Sequence, residues 1–83
     1  MDMSSLAAIC RLALSRNRYV YLEHRGVGRD VYPYKIRDGK LYCFCMLHPD
    51  RDVESLYLTN IGSARMSSAS INMYFAYDSE FAP

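Results

Sequence analysis

The sequence predicts an α+β domain in which an N-terminal helix precedes a small, strongly bent five-stranded antiparallel sheet or barrel. Apolar residues are first spaced by three and four, as in a helix, and then alternate with period two from about residue 19. Turn residues separate the alternating segments at short intervals, which is typical of hairpin-linked strands. With 83 residues the chain forms one domain, residues 1–83, with the helix at about 5–17 and the barrel at about 19–77.

The helix is expected to begin at Ser4 and Ser5, because hydroxyl side chains cap free backbone N–H groups. Its apolar stripe consists of Leu6, Ile9, Cys10, Ala13 and Leu14. Arg16 and Arg18 follow at the end that carries the negative pole of the helix dipole. The helix should therefore end near Asn17.

Three strands are predicted in the first half of the sheet, over residues 19–24, 30–37 and 40–46. Residues 25–28 contain two glycines and form the first turn, and Asp38-Gly39 is a strong signal for a two-residue hairpin turn. Pro33 lacks an N–H to donate to a ladder, which indicates an edge strand or a bulge.

The second half has weaker patterns. Residues 47–52 form a polar loop, and residues 53–61 form a fourth strand that Gly62 ends. Residues 63–70 are polar and poorly patterned. Residues 71–77 are expected to form the fifth strand, with a helical turn as the alternative.

The charge is unevenly distributed along the chain. Residues 11–40 contain eight basic against three acidic side chains, whereas residues 41–83 contain two against five. The net charge of +1 is lower than is usual for a nucleic-acid module. The basic half either forms a local face that attracts anions or only keeps a small apolar domain in solution.

The three cysteines are predicted to be reduced, buried thiols. An odd count with no secretory signal argues against a disulfide framework, and no spacing typical of zinc ligands occurs, so we expect neither a metal nor another cofactor. No apolar run approaches the ~20 residues of a membrane span, and the first residues lack the basic region of a signal peptide. We therefore expect a cytoplasmic protein with no membrane contact.

Several motifs occur in a characteristic order between residues 6 and 77. The most specific is an Arg-x-Val-x-Pro-Tyr strand, which reads here Arg29-Asp30-Val31-Tyr32-Pro33-Tyr34. After a turn comes Leu41-Tyr42-Cys43, then His48 where a strand usually ends in a polar residue, and then residues 56–61 as a further strand. In this order and spacing the chain resembles the WYL domain, a family named for a Trp-Tyr-Leu strand motif.

The resemblance implies an SH3- or Sm-like barrel preceded by a helix. WYL domains usually follow a DNA-binding helix-turn-helix in bacterial regulators and are thought to sense ligands, which in some members are nucleic-acid-like. They also occur as accessory modules in phage-defence systems. Since only about ten residues precede Arg11, we expect a solitary module.

The resemblance also implies a ligand site, although this chain departs from the family there. Tyr57, Thr59 and Asn60 stand where arginine, aspartate and arginine are usual, so the site is expected to be lost or remodelled. The candidate ligand-binding residues that remain are Arg18, Arg29, Tyr34, Tyr42, His48, Arg51 and Tyr57.

Each candidate also has a purely structural interpretation. The tyrosines can pack at the rim of a barrel, His48 can close a turn with Pro49, and Arg18 and Arg29 can be solvated surface charges. Catalysis gains no support, because no catalytic triad, paired-carboxylate signature or phosphate-binding loop is present, and we expect no enzyme.

Three hypotheses on function follow. The first is a non-enzymatic ligand-sensing or regulatory module in transcription or phage defence, whose ligand is a nucleotide or a single-stranded nucleic acid. The second is a structural adaptor or homodimerisation module that has lost the ligand site. The third is an Sm-like single-strand binder, which requires Arg16, Arg18, Arg25 and Arg29 on one face.

Overall fold

A computed structural model describes residues 1–45, 53–71 and 79–82. Its elements are α1 (Met3–Ser15), β1 (Arg18–His24), β2 (Val27–Arg37), β3 (Lys40–Cys45), β4 (Glu54–Tyr57), a 3₁₀ turn (Leu58–Asn60) and β5 (Ile61–Ser70). The strands form one antiparallel sheet in the order β4-β3-β2-β1-β5. The α+β class, with one leading helix and five antiparallel strands, is thus confirmed.

Helix α1 begins two residues earlier than the sequence pattern predicts. Asp2, rather than a serine, is the N-cap: its carboxylate accepts hydrogen bonds from the backbone N–H of Ser5 at 3.0 Å and from the Ser5 hydroxyl at 3.1 Å. The buried stripe is the predicted one, with Leu6, Cys10 and Ala13 fully enclosed. In the described part of the chain, no helix has both the length and the apolar character that crossing a membrane requires.

Both hairpin turns consist of two residues in the left-handed region. Asp38 and Gly39 have φ of 53° and 72°, as the sequence predicts for a turn that matches the twist of its strands. Arg25 and Gly26 repeat this pattern at 52° and 80°. The predicted four-residue turn over 25–28 is therefore wrong, because β2 already begins at Val27.

Pro33 produces a bulge and does not mark an edge strand. Pro33 pairs with Cys43 and Lys35 pairs with Tyr42, so Tyr34 is the extra residue of β2. The pairing of β2 with β1 extends only to Val31, so Pro33 lies beyond the part of β2 that has strands on both sides.

The second half of the chain differs from its prediction. The expected strand over 53–61 is divided by the 3₁₀ turn, and the weakly patterned residues 63–70 belong to β5. Apolar residues continue across the break at Leu58, so periodicity does not reveal the turn. Residues 72–78, most of the predicted fifth strand, and the loop over 47–52 lie outside the described residues.

The order of the strands requires a strongly curled sheet. β4 and β5 lie at opposite edges, which would be about 19 Å apart in a flat sheet, yet a 3₁₀ turn of three residues, about 6 Å long, joins them. The edges must therefore bend toward each other. In the residues that the structure describes, no ladder joins β4 to β5, so the expected alternative of a closed barrel is wrong.

The core lies on the concave side of this sheet, called the inner face here. Its cross-strand pairs include Val20 with Val31 and Leu41 with Leu56, and all four side chains are buried. α1 packs over this face mainly against β1 and β5. The alternate residues of each strand form the outer face.

Candidate functional site

Three of the predicted site residues, Tyr34, Tyr42 and Tyr57, lie together on the outer face of β2, β3 and β4. Lys35 is the cross-strand partner of Tyr42, and Lys40 is the partner of Tyr57. The bulge after Pro33 creates the first pair, because it moves Lys35 opposite Tyr42. We call the surface formed by Tyr34, Lys35, Lys40, Tyr42 and Tyr57 the tyrosine–lysine face.

The lysine ammonium groups of this face lie over the tyrosine rings. Lys35 Nζ is 5.6 Å from the ring centroid of Tyr34 and 5.1 Å from that of Tyr42, and Lys40 Nζ is 5.2 Å from that of Tyr57. These are cation–π distances, and such contacts stabilise by only about 0.5–1 kcal/mol at exposed sites. Tyr57 is 54% exposed and the other four side chains are half-buried, so a ligand can reach the face.

An aromatic layer supports one side of the tyrosine–lysine face. Phe44 is almost fully buried, and its ring lies edge-on to that of Tyr34, with the centroids 6.2 Å apart. Tyr32, its cross-strand partner, packs on it at 6.4 Å. This packing restricts the rotamers of Tyr34 and holds this edge of the tyrosine–lysine face in place.

Arg29 lies on the opposite side of the sheet from these tyrosines. It pairs in register with Leu22, so it belongs to the inner face, where its guanidinium forms an ion pair with Glu54 of β4. Its Nε is buried and has no hydrogen-bond acceptor among the described residues. Arg29 thus connects β2 with β4 and does not contribute to the tyrosine–lysine face.

His24 lies near this ion pair. Partial burial, with the positive charges of Arg29 and Arg25 as further causes, lowers the pKa of His24. The imidazole is therefore neutral at pH 7 and offers no charge for an anionic ligand.

Arg18 is remote from the other candidates. It begins β1, pairs with Ser70, and donates a long hydrogen bond of 3.5 Å from Nη1 to the carbonyl oxygen of Ser67. Along β1 it is four residues, or about 13 Å, from the position opposite Arg29. The two arginines therefore do not converge on one ligand.

Two predicted site residues, His48 and Arg51, lie outside the described residues. The buried thiols offer no reactive group, because burial raises the pKa of Cys10 and of Cys43 to about 12. Within 1–45, 53–71 and 79–82, no three His, Cys, Asp or Glu side chains are placed to hold a metal ion.

Sequence reasoning missed the two lysines of the site. Lys40 follows the Asp38-Gly39 turn directly, and this turn places it opposite Arg37 at the end of the hairpin. That placement could have been derived from the turn type. The pairing of Lys35 with Tyr42 could not, since it depends on where the bulge falls.

Comparisons of the chain with models of protein families, with curated proteins and with solved structures gave no match. The resemblance to WYL domains stays a prediction from the motifs in the sequence.

Proposed function

We propose that this protein is a non-enzymatic, cytoplasmic ligand-sensing module, similar to WYL domains, which binds a nucleotide or a single-stranded nucleic acid through the tyrosine–lysine face. Regulation of transcription or of phage defence is the setting that the resemblance suggests. The observation that carries the proposal is the clustering of three tyrosine rings and two ammonium groups on one partly exposed surface.

Energetically, a nucleic-acid base should be able to replace a lysine ammonium group on these tyrosine rings. A base stacked on an aromatic side chain contributes about 1–3 kcal/mol, more than the exposed cation–π contact that it replaces. A base on Tyr42 would displace the ammonium group of Lys35, which then lies beside the ligand's phosphate. In this pair, Tyr42 would stack on the base and Lys35 would neutralise the phosphate.

The number of charges limits the strength of binding. Two lysines neutralise about two phosphates, so the logarithm of the affinity should fall against the logarithm of salt concentration with a slope of about −1.4. Three rings accommodate only a few bases. The face therefore suits a nucleotide or a short single strand rather than a duplex.

Fluorescence anisotropy with labelled DNA and RNA strands of about six nucleotides tests this proposal. Raising salt from about 20 to about 100 mM should weaken binding about 10-fold. Tyr57→Ala and Lys35→Gln should each weaken it by at least about 5-fold. No binding at the lower salt concentration would overturn the proposal.

Arg65→Gln is the matched control for Lys35→Gln. The Arg65 guanidinium also lies over a tyrosine, 4.8 Å from the ring centroid of Tyr21, but this pair is outside the tyrosine–lysine face. Its loss should leave the affinity nearly unchanged. An equal effect of both variants would show unspecific attraction by charge.

Self-association is a second candidate function, and the edge strand β5 favours it. This strand has ten residues, and in the described part of the chain it pairs only with β1. A free edge of this length is a template for antiparallel pairing with a second copy. Light scattering that gives a strict monomer at about 0.5 mM would contradict a homodimer.

A further inference from the structure

A concave pocket, separate from the tyrosine–lysine face, lies between α1, the end of β2 and the C-terminal residues 79–82. Its volume is about 330 Å³, near the lower limit for small-molecule pockets. Ala7, Ile36 and Phe81 form its apolar floor. None of the residues predicted to bind ligand lines this pocket.

The C-terminal wall of the pocket is anchored to β2. The Ser79 hydroxyl donates a hydrogen bond of 2.7 Å to the carbonyl oxygen of Pro33, and the Glu80 backbone N–H donates one of 2.9 Å to that of Tyr34. Phe81 is only 7% exposed and packs in the core. The pocket is therefore formed before any ligand arrives.

The rim of the pocket carries two guanidinium groups and one carboxylate. Arg37 is occupied, since it forms an ion pair with Glu80 and donates to the carbonyl oxygen of Ile36 at 2.8 Å. The Arg11 guanidinium lies over the Phe81 ring, 5.9 Å from its centroid, and Arg11 lines the pocket without a hydrogen bond or ion pair to any described residue. One positive charge with unused donors thus borders a pocket that has an apolar floor and a polar rim.

We infer that this pocket binds a small amphiphilic monoanion, a carboxylate attached to an apolar body. The carboxylate would pair with Arg11, whose planar fork of donors matches it, while the body covers Ala7, Ile36 and Phe81. The volume suits about ten non-hydrogen atoms at the space that liquid water takes per molecule. Glu80 adds a negative charge to the rim, so a second negative charge on the ligand, as in a phosphate dianion, is disfavoured.

Titration of the full chain with octanoate, followed by ¹H–¹⁵N correlation spectra, tests the inference. Saturating shifts are expected at Ala7, Arg11, Ile36 and Phe81, with a dissociation constant of about 0.1–1 mM. Octanol has the same tail without the charge and should bind at least about 10-fold more weakly. Shifts elsewhere, no saturation, or equal affinity for octanol would overturn the inference.

Two variants test the contributions of the Arg11 charge and of the apolar floor to binding separately. Arg11→Gln should weaken octanoate binding at least about 10-fold. Ala7→Leu should block binding by filling the floor while the charge remains. Arg16→Gln is the matched control, because Arg16 is exposed just after α1 and does not line the pocket.

Unchanged affinity in both Arg11→Gln and Ala7→Leu would contradict the inference. Melting curves of the variants confirm that each remains folded. Because neither residue belongs to the tyrosine–lysine face, this result is independent of nucleic-acid binding.

Discussion

The two faces of the sheet differ in what their side chains do. The inner face is mainly aliphatic with buried thiols, α1 covers it, and it carries the Arg29–Glu54 ion pair. The outer face is built from rings and cations, with Lys35, Lys40 and Arg65 over tyrosines. Most of the buried apolar side chains lie on the inner face, whereas the tyrosine–lysine face of the outer side keeps its rings and ammonium groups partly exposed.

The largest expected effect comes from shortening a fully buried inner-face side chain. Leu22→Ala should lower the free energy of unfolding by about 3 kcal/mol, through lost burial and the cavity left behind. Tyr57→Ala on the exposed outer face should cost less than about 1 kcal/mol. Urea unfolding of both variants measures the contrast, and equal losses would contradict the division between the faces.

The second-largest expected effect is a loss of folding stability at alkaline pH, through the two buried thiols of the core. Burial raises the pKa of Cys10 and Cys43 from 9.0 to about 12, so the native state keeps protons that the unfolded state releases. The contribution of these thiols to the free energy of unfolding is constant below about pH 9. As the pH rises from 9 toward 12, the free energy of unfolding falls by up to about 1.4 kcal/mol per pH unit for each thiol.

Unfolding free energies at about pH 8, 9 and 10 test this pH dependence. Cys10→Ala serves as the control, because it removes one of the two thiols. It should reduce the slope of the unfolding free energy against pH by the contribution of that thiol, however much stability it loses at neutral pH. A slope that Cys10→Ala leaves unchanged would contradict the assignment to this thiol.

The smallest effect is expected at a buried hydroxyl on the outer face. Tyr19 is fully buried, and its hydroxyl and Asp30 Oδ1 both find no hydrogen-bond partner among the described residues. Tyr19→Phe should therefore leave stability unchanged or raise it by up to about 1 kcal/mol. A loss above about 1 kcal/mol in urea unfolding would indicate that the hydroxyl is satisfied, for example by water.

Local signals predicted the first half of the fold well. The buried stripe of α1 and the Asp38-Gly39 turn depend on neighbouring residues, and both were confirmed. Pro33 indicated an edge strand or a bulge, and the structure has the bulge. The break at Leu58 was missed because apolar residues continue through it. Residues 63–70 were missed because β5 is stabilised by backbone pairing with β1, which side-chain patterns do not record.

The sequence predicted some of the residues of the candidate site, but it did not predict which of them share one face of the sheet. Tyr34, Tyr42 and Tyr57 were chosen from the sequence and lie on one face. Arg29 was a candidate for the same ligand site, but its strand position directs it into the inner face toward Glu54. Sequence alternation separates the two faces of a strand, but it does not say which of them is covered.

The sequence by itself determined the class of the fold, the buried stripe of α1 and the two-residue hairpin turn at Asp38-Gly39, because these follow from local periodicity and backbone preference. Only the tertiary structure decided the curl of the sheet, the position of β5 beside β1, and the pairing of lysines with tyrosines. These features join residues that are far apart in the chain, and their positions depend on strand register and edge pairing, which no local pattern encodes.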